Sequence, residues 1–233
     1  MVNLRINDLD VMAEEGQTIL EACQFYGIDV PTLCYNEGLS PYGGCRLCVV
    51  EIGEGKSAKL VTSCTYPVSE GLVVRTRTRR VDRARRMVIE LLLARCHTSK
   101  TLQDLASQYG VEKVRFSLRN DDCILCGLCV RMCKEQMMAD AIGFVDRGKD
   151  MKITTPYNAK SDTCRRCGGC MYICPVCSAR CQGPDTKEAL CNGCLNMQPT
   201  CLESYDDAQC FMSEGNCGTC VREKGKEGGN KGV

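Results

Sequence analysis

The stretch Cys-Ile-Leu-Cys-Gly-Leu-Cys-Val-Arg-Met-Cys, residues 123–133, is answered further on by Cys-Arg-Arg-Cys-Gly-Gly-Cys-Met-Tyr-Ile-Cys-Pro, residues 164–175. Each half is a C-x2-C-x2-C-x3-C run, the spacing that holds [4Fe–4S] clusters through thiolates, and Pro175 closes the second copy. Three short spacings let one turn of backbone wrap three corners of a cube. A remote fourth ligand then ties two chain segments together, so that metal also cross-links the fold. Two copies of the run on one chain make chance spacing a poor explanation.

The paired runs resemble those of two-cluster ferredoxins, in which the fourth cysteine of each run serves the other cluster. Carried over, Cys123, Cys126, Cys129 and Cys174 hold one [4Fe–4S] cluster, and Cys133, Cys164, Cys167 and Cys170 hold the second. Between the runs, Ala141–Val145 and Met151–Thr155 flank Asp146-Arg147-Gly148 and read as a hairpin that covers the cluster pocket.

Composition agrees with a metal-built fold. The chain of 233 residues carries 22 cysteines, 22 glycines, one histidine and no tryptophan, too few large apolar side chains for an ordinary core throughout. High cysteine content is also the mark of secreted disulfide proteins. Against that reading, the opening Met-Val-Asn-Leu-Arg-Ile-Asn lacks the basic and apolar regions of a signal peptide, and the spacings are metal spacings. A reducing cytoplasm is the expected setting. Formal charge is +1, from 30 basic and 29 acidic side chains, before ligand thiolates are counted. An oxidised cluster with four thiolates is a dianion, so Arg131, Lys134, Arg165, Arg166 and Arg180 read either as local compensation or as a solvated face. No basic stripe suggests nucleic acid, and no apolar run approaches a membrane span.

Upstream, Val2, Leu4 and Ile6 alternate, Asn7-Asp8 is a turn signal, and a second short strand follows. Ile19–Cys23 reads as a helix closed near Gly27, and Ile28–Leu33 as extended chain around Pro31. Val49–Ile52, Lys59–Thr62 and Leu72–Thr76 read as strands. Among them lie Cys34, Cys45, Cys48 and Cys64, spaced C-x10-C-x2-C-x15-C. Strands around one helix with a long cysteine loop suggest a β-grasp ferredoxin domain. Four thiolates beside Gly43-Gly44 suit a [2Fe–2S] centre, because glycine lets the backbone close on inorganic sulfide and aim N–H groups at it. Zinc is the competing occupant of any four-cysteine set.

Pro-Thr-Leu-Cys-Tyr-Asn-Glu-Gly-Leu-Ser (31–40), Cys-Arg-Leu-Cys-Val-Val-Glu (45–51), Ser-Cys-Thr-Tyr-Pro-Val-Ser-Glu-Gly-Leu-Val-Val (63–74) and Arg-Arg-Met-Val-Ile-Glu-Leu-Leu-Leu-Ala-Arg (85–95) resemble one family. It is the N-terminal iron–sulfur region shared by the large peripheral subunit of NADH dehydrogenase (complex I) and NAD-linked hydrogenases. The resemblance covers roughly residues 1–176. Larger family members hold a further [4Fe–4S] cluster with one histidine and three cysteines just after residues 85–95. Here Cys96 and His97 are followed by Thr-Ser-Lys-Thr-Leu-Gln-Asp-Leu with no cysteine before Cys123, so that cluster is lost and His97 is expected to be a surface or helix-end residue. Cys23 and Cys96 read as small buried apolar residues. Arg79–Arg95 is helical, with a stripe at Val81, Ala84, Met87, Val88, Leu91 and Leu92, and Thr101–Tyr109 is a second helix ended by Gly110.

Beyond residue 176 the resemblance explains nothing, yet eight more cysteines follow. The preferred partition places Cys177, Cys181, Cys191 and Cys194 on a third [4Fe–4S] cluster, and Cys201, Cys210, Cys217 and Cys220 on an iron–sulfur or zinc site. Interleaved partitions satisfy the spacings nearly as well. Residues 222–233, rich in Gly, Lys and Glu, read as a mobile tail.

The expected fold class is α+β: a [2Fe–2S] β-grasp ferredoxin domain (1–78), a short helical linker (79–118), a two-[4Fe–4S] ferredoxin-like domain (119–176), a cysteine-rich metal-binding extension (177–221) and the tail. The expected role is an electron-transfer subunit without a catalytic residue of its own. No glycine-rich dinucleotide fingerprint is present, nor the cysteine set of hydrogen-activating iron hydrogenases. The resemblance implies a flavin-containing NAD(P)-reactive partner on one side. On the other it implies a nickel–iron hydrogenase or formate dehydrogenase, with ferredoxin as a further partner and electron bifurcation if the flavin partner supports it. Two rival readings are a metal-dependent docking module with a zinc-binding C-terminus and a free-standing soluble polyferredoxin.

Overall fold

The computed structural model describes residues 1–119, 121–159, 161–165 and 167–176, so every assignment at Cys177–Cys220 lies outside the described residues. The chain divides into two compact units, Met1–His97 with Leu102–Asn120, and Thr98–Thr101 with the chain from Asp121 onward.

In the first unit, β1 (Val2–Ile6) buries Leu4 and Ile6 and exposes Asn3 and Arg5, the alternation a one-sided sheet demands. Asn7, with φ of 56°, turns the chain into β2 (Leu9–Ala13), which returns antiparallel in the register Leu4↔Val11. Helix α1 (Ile19–Phe25) starts on a capping box: Thr18 Oγ1 accepts the Glu21 N–H at 3.3 Å, and Glu21 Oε2 accepts the Thr18 N–H at 2.7 Å. It ends at Gly27, whose φ of +68° a side chain would strain. Strands β3 (Val49–Ile52), β4 (Lys59–Thr62) and β5 (Leu72–Arg75) complete a five-stranded sheet of order β2-β1-β5-β3-β4. Only the β1–β5 pair is parallel. Helix α1 lays Ile19, Leu20, Ala22 and Cys23 into the same core as Leu4, Ile6, Val50 and Val74, which is the β-grasp arrangement. Residues 28–33 belong to no strand of the sheet and lead into the cysteine loop. Ile6 and Val74 pair across the parallel ladder and are both fully buried. Ile6→Ala should therefore cost about 2–5 kcal/mol, read as a lowered urea midpoint at unchanged slope.

Helix α2 (Arg79–Arg95) begins on Thr78, whose Oγ1 accepts the Val81 N–H at 3.1 Å. Its buried face is not the apolar stripe read from sequence. Val81, Arg85, Ile89, Glu90, Leu93 and Ala94 are buried, whereas Met87 and Leu91 are exposed. The helix is rotated so that two charged side chains enter the interior, each where a partner meets it. Glu90 takes Arg115 through Nε (2.9 and 3.1 Å) and Nη2 (2.8 Å), and accepts the Arg115 N–H at 2.6 Å. That clamp holds the carboxyl below the usual range and fastens the chain after helix α3 (Lys100–Tyr109) back onto α2.

In the second unit, helix α4 (Leu128–Arg131) runs into a π-helical turn over Met132–Gln136. Strands β6 (Gly143–Val145) and β7 (Lys152–Thr154) form the expected antiparallel hairpin, and helix α5 (Gly169–Tyr172) follows. Its buried apolar side chains include Ile124, Leu128, Ala141 and Val176, and one cluster packs Cys123, Leu125, Val130, Cys133 and Cys170 against Cys129, Ile142 and Ile153.

Candidate metal centres

The first cysteine set lies in the loop from the end of residues 28–33 to β3, plus the turn after β4. Cys34, Cys45, Cys48 and Cys64 are all buried, at 1, 5, 1 and 1 % exposure. The Cys48 and Cys64 sulfurs lie 3.2 Å apart, and Cys34 Sγ accepts the Cys45 N–H at 3.4 Å. The sulfurs contact one another in the chain Cys45–Cys34–Cys64–Cys48. Hydrogen bonds from Cys45 and Cys64 hold the Cys34 thiol down to about 2, and Cys64 holds Cys48 down to about 6. Cys45 and Cys64, the proton-bearing members, are pushed up by the same contacts and by burial. Two sulfurs of the four thus shed their protons most readily, as thiolate ligation requires.

Among the described residues no three or more His, Cys, Asp or Glu converge as ligands of one ion do. The turn at Gly43 has φ of +66°, a conformation that strains any side chain, so glycine is what lets this loop close. On the other side of the loop, Ser63 Oγ and the Ser63 N–H both donate to the Cys48 carbonyl, at 2.8 and 3.1 Å, which locks the two ligand segments together.

The second and third sets interleave the two runs. Burial pushes the Cys129 thiol up, and the charges of Cys126, Cys174, Cys170 and Cys123 push it further. Cys133 is raised by burial and by Cys164 and Cys167, against N–H donation from Ala141 and Ile142. Ala141 N donates to Cys133 Sγ at 3.3 Å and Leu125 N to Cys123 Sγ at 3.4 Å. The two runs therefore lie near each other: Cys126, Cys174, Cys170 and Cys123 are within electrostatic range of Cys129, and Cys164 and Cys167 within range of Cys133. The backbone repeats with the motif: Gly127 (φ 70°, ψ 5°) and Gly168 (φ 69°, ψ −3°) both turn left-handed to start α4 and α5 between the second and third cysteines of their runs. Cys126 and Cys129 are buried, Cys167 is exposed, and Cys123, Cys133, Cys164, Cys170 and Cys174 are half-buried, so these sulfurs are more open than the first set.

Cys23 and Cys96 are fully buried, and burial pushes Cys23 up to about 11. His97 is half-buried just past the end of α2, with Nδ1 3.2 Å from the Arg119 carbonyl and its own carbonyl accepting from Gln103 Nε2 at 3.0 Å. His97→Ala should leave iron and sulfide content at the wild-type level; loss of a cluster would return the histidine to the ligand set. One residue escaped the sequence reading altogether. Arg85, at 1 % exposure, sends Nη2 to the Val49 carbonyl at 2.9 Å, next in chain to the ligand Cys48. Its signal was the phase Val81–Arg85–Ile89, one residue every helical turn along a single face.

Comparison with known proteins agrees with this construction. Residues 1–79 match the 2Fe-2S iron-sulfur cluster binding domain, and residues 122–179 match the 4Fe-4S dicluster domain. The chain is an iron–sulfur protein, joining a β-grasp [2Fe–2S] domain to a two-cluster [4Fe–4S] domain. The resemblance read from residues 31–95 holds as well. The chain is similar to an NADH-quinone oxidoreductase subunit of Rhizobium meliloti, 32 % identical over 203 residues, covering 76 % of this chain and 23 % of that one. It is also similar to the NADH-ubiquinone oxidoreductase 75 kDa subunit of Reclinomonas americana (35 % over 201 residues, covering 76 % and 29 %). A third relative is the NADPH-Fe(3+) oxidoreductase subunit alpha of Geobacter sulfurreducens (32 % over 201 residues, covering 76 % and 24 %). The chain thus spans about a quarter of the length of these relatives. Among solved structures it resembles a chain of the NAD+-reducing [NiFe]-hydrogenase in the H2-reduced state, with TM-score 0.59 and 27 % identity over 66 % of this chain and 74 % of that one. Among the described residues no helix is long and apolar enough to cross a membrane.

Proposed function

We propose that the protein is an electron-transfer subunit that relays electrons through one [2Fe–2S] and at least two [4Fe–4S] clusters between partners that carry out the chemistry. Cys34, Cys45, Cys48 and Cys64 hold the [2Fe–2S] centre. Cys123, Cys126, Cys129 and Cys174 hold one [4Fe–4S] cluster, and Cys133, Cys164, Cys167 and Cys170 the other. The observation that best supports this reading is the proximity of the two runs: charges on Cys174 and Cys170 of the second act on Cys129 of the first, and charges on Cys164 and Cys167 act on Cys133. Such centres supply one-electron transfer at low potential, about −400 mV for plant-type [2Fe–2S]. The chain's own part is to bury the sulfurs and aim N–H groups at them. In this reading the N–H donors at Cys34, Cys123 and Cys133 set how readily each accepts an electron.

The electron source and sink lie on other chains. A flavin-containing NAD(P)-reactive subunit fits one side, since NADH, NADPH and NAD+ appear in the names of the relatives and of the structural neighbour. A nickel–iron hydrogenase fits the other, with formate dehydrogenase as the alternative. Ferredoxin and bifurcation follow if the flavin partner joins two electron routes. A cytoplasmic setting belongs to the same proposal, since thiolate ligation at these metal spacings calls for a reducing compartment.

The cysteines at 177–220 decide between a longer wire and a docking module. Anaerobic metal and acid-labile sulfide analysis separates them. Counting irons by cluster type, the wire gives about 14–18 per chain without zinc, and the docking module gives about ten with one or two zincs. A colourless protein without labile sulfide would refute the proposal. Purification with flavin and hydrogenase subunits is the expected result, and stable solitary purification would instead favour a free-standing polyferredoxin.

A further inference from the structure

Arg85 is the largest fully buried side chain of the described residues, and its charge is unanswered. Nη2 donates to the Val49 carbonyl at 2.9 Å and Nη1 to Tyr109 Oη at 3.4 Å, and the guanidinium lies 6.0 Å from the centre of the Tyr109 ring. Nε is buried with no partner at all. Among the described residues no carboxylate pairs with Arg85. The nearby acids are taken: Glu51 by Thr78 and Arg80, Glu90 by Arg115. A carbonyl, a phenol and a ring face satisfy hydrogen bonds but bring no net negative charge, and a buried cation without one is strongly disfavoured.

What the first unit does contain is the Cys34, Cys45, Cys48 and Cys64 set. Val49, the acceptor of Arg85, follows Cys48 directly, and the carbonyl of Cys48 is the one locked by Ser63. Arg85 lies within electrostatic range of Cys23 of α1, which shares one packed core with Cys48 and Cys64. We propose that Arg85 is the built-in counter-charge of the [2Fe–2S] centre, a positioning residue on α2 that holds the potential of that centre up and makes cluster and helix mutually dependent. This rests on the ligand assignment made under the proposed function. The centre with its four thiolates carries charge −2 when oxidised and −3 after taking one electron from an external reductant. A fixed buried cation therefore favours the reduced state over the oxidised one. The remainder of the device is the helix itself: Thr78 caps it, Val81 and Ile89 press the same face onto the core, and Arg85 sits between them.

The test is a dithionite titration of the [2Fe–2S] EPR signal in the full chain, for the wild type, Arg85→Gln and Arg85→Lys, with iron and sulfide measured in each. Glutamine keeps a donor for the Val49 carbonyl and removes the charge; lysine keeps the charge and loses the planar fork. Arg85→Gln should lower the reduced-to-oxidised ratio at a fixed ambient potential about tenfold, which is about 59 mV for a one-electron couple. Arg85→Lys should stay within about threefold of the wild type. A loaded Arg85→Gln protein that titrates with the wild type, or a lysine variant that falls as far as the glutamine one, overturns the proposal. If the glutamine variant does not assemble the centre, the lysine variant decides by the same threefold limit. A wild type lacking any [2Fe–2S] signal would overturn the ligand assignment itself, a result distinct from a signal whose potential does not move.

Discussion

Cys126→Ala removes one [4Fe–4S] signal and stops electron flow between partners, while each partner assayed separately with an artificial dye keeps its activity. Cys126 is 5 % exposed and within electrostatic range of Cys129, and alanine offers no ligand atom in its place. Loss of groups that merely support metal ligands costs about 10–100-fold in metal affinity, and loss of a ligand costs at least as much. Without that station the remaining gap must be crossed in one longer step, and NAD(P)-linked transfer should fall to background. The measurement is EPR with iron quantitation on the variant, followed by NAD(P)-linked turnover in the assembled complex. Wild-type turnover with the signal gone would put that cluster off the route. An undiminished signal would take Cys126 out of the ligand set.

Stripping iron anaerobically should unravel one unit and spare the other. The first unit owns a contiguous core in which Leu4, Ile6, Ile19, Leu20, Val50, Val74 and others are buried across sheet and helix. In the second, three of the five side chains packed against Cys129, Ile142 and Ile153 are cysteines, and Cys126 is buried as well. Where ligands form the core, metal-binding free energy is folding free energy. Amide exchange after chelation should accelerate by at least about 100-fold across residues 123–174, while β1, β2 and β5 stay protected. The loop carrying Cys34, Cys45 and Cys48 should loosen without melting the sheet behind it. Equal loss of protection in both units, or none in the second, would contradict this division.

Alternation at Val2, Leu4 and Ile6, the turn at Asn7 and the helix opening at Thr18 were legible because each depends on residues within a few positions of one another. The cysteine runs were legible for the same reason: three ligands from one turn of chain are a local property, and the Gly127 and Gly168 turns repeat with them. The face of α2 was not legible. Its apolar residues outnumber the positions that face the core, so periodicity allowed more than one phase, and Met87 and Leu91 ended outside with Arg85 and Glu90 inside. That rotation depends on Arg115 and Tyr109, 25 and 24 residues away, meeting the two charges.

By itself the amino-acid sequence determined the metal chemistry and the kind of units that hold it, since ligand type, short spacings and strand alternation are written locally. Only the tertiary structure decided which charged side chains are buried and beside what. A buried ion is tolerated only where distant groups satisfy it, and their meeting is a property of the folded chain as a whole.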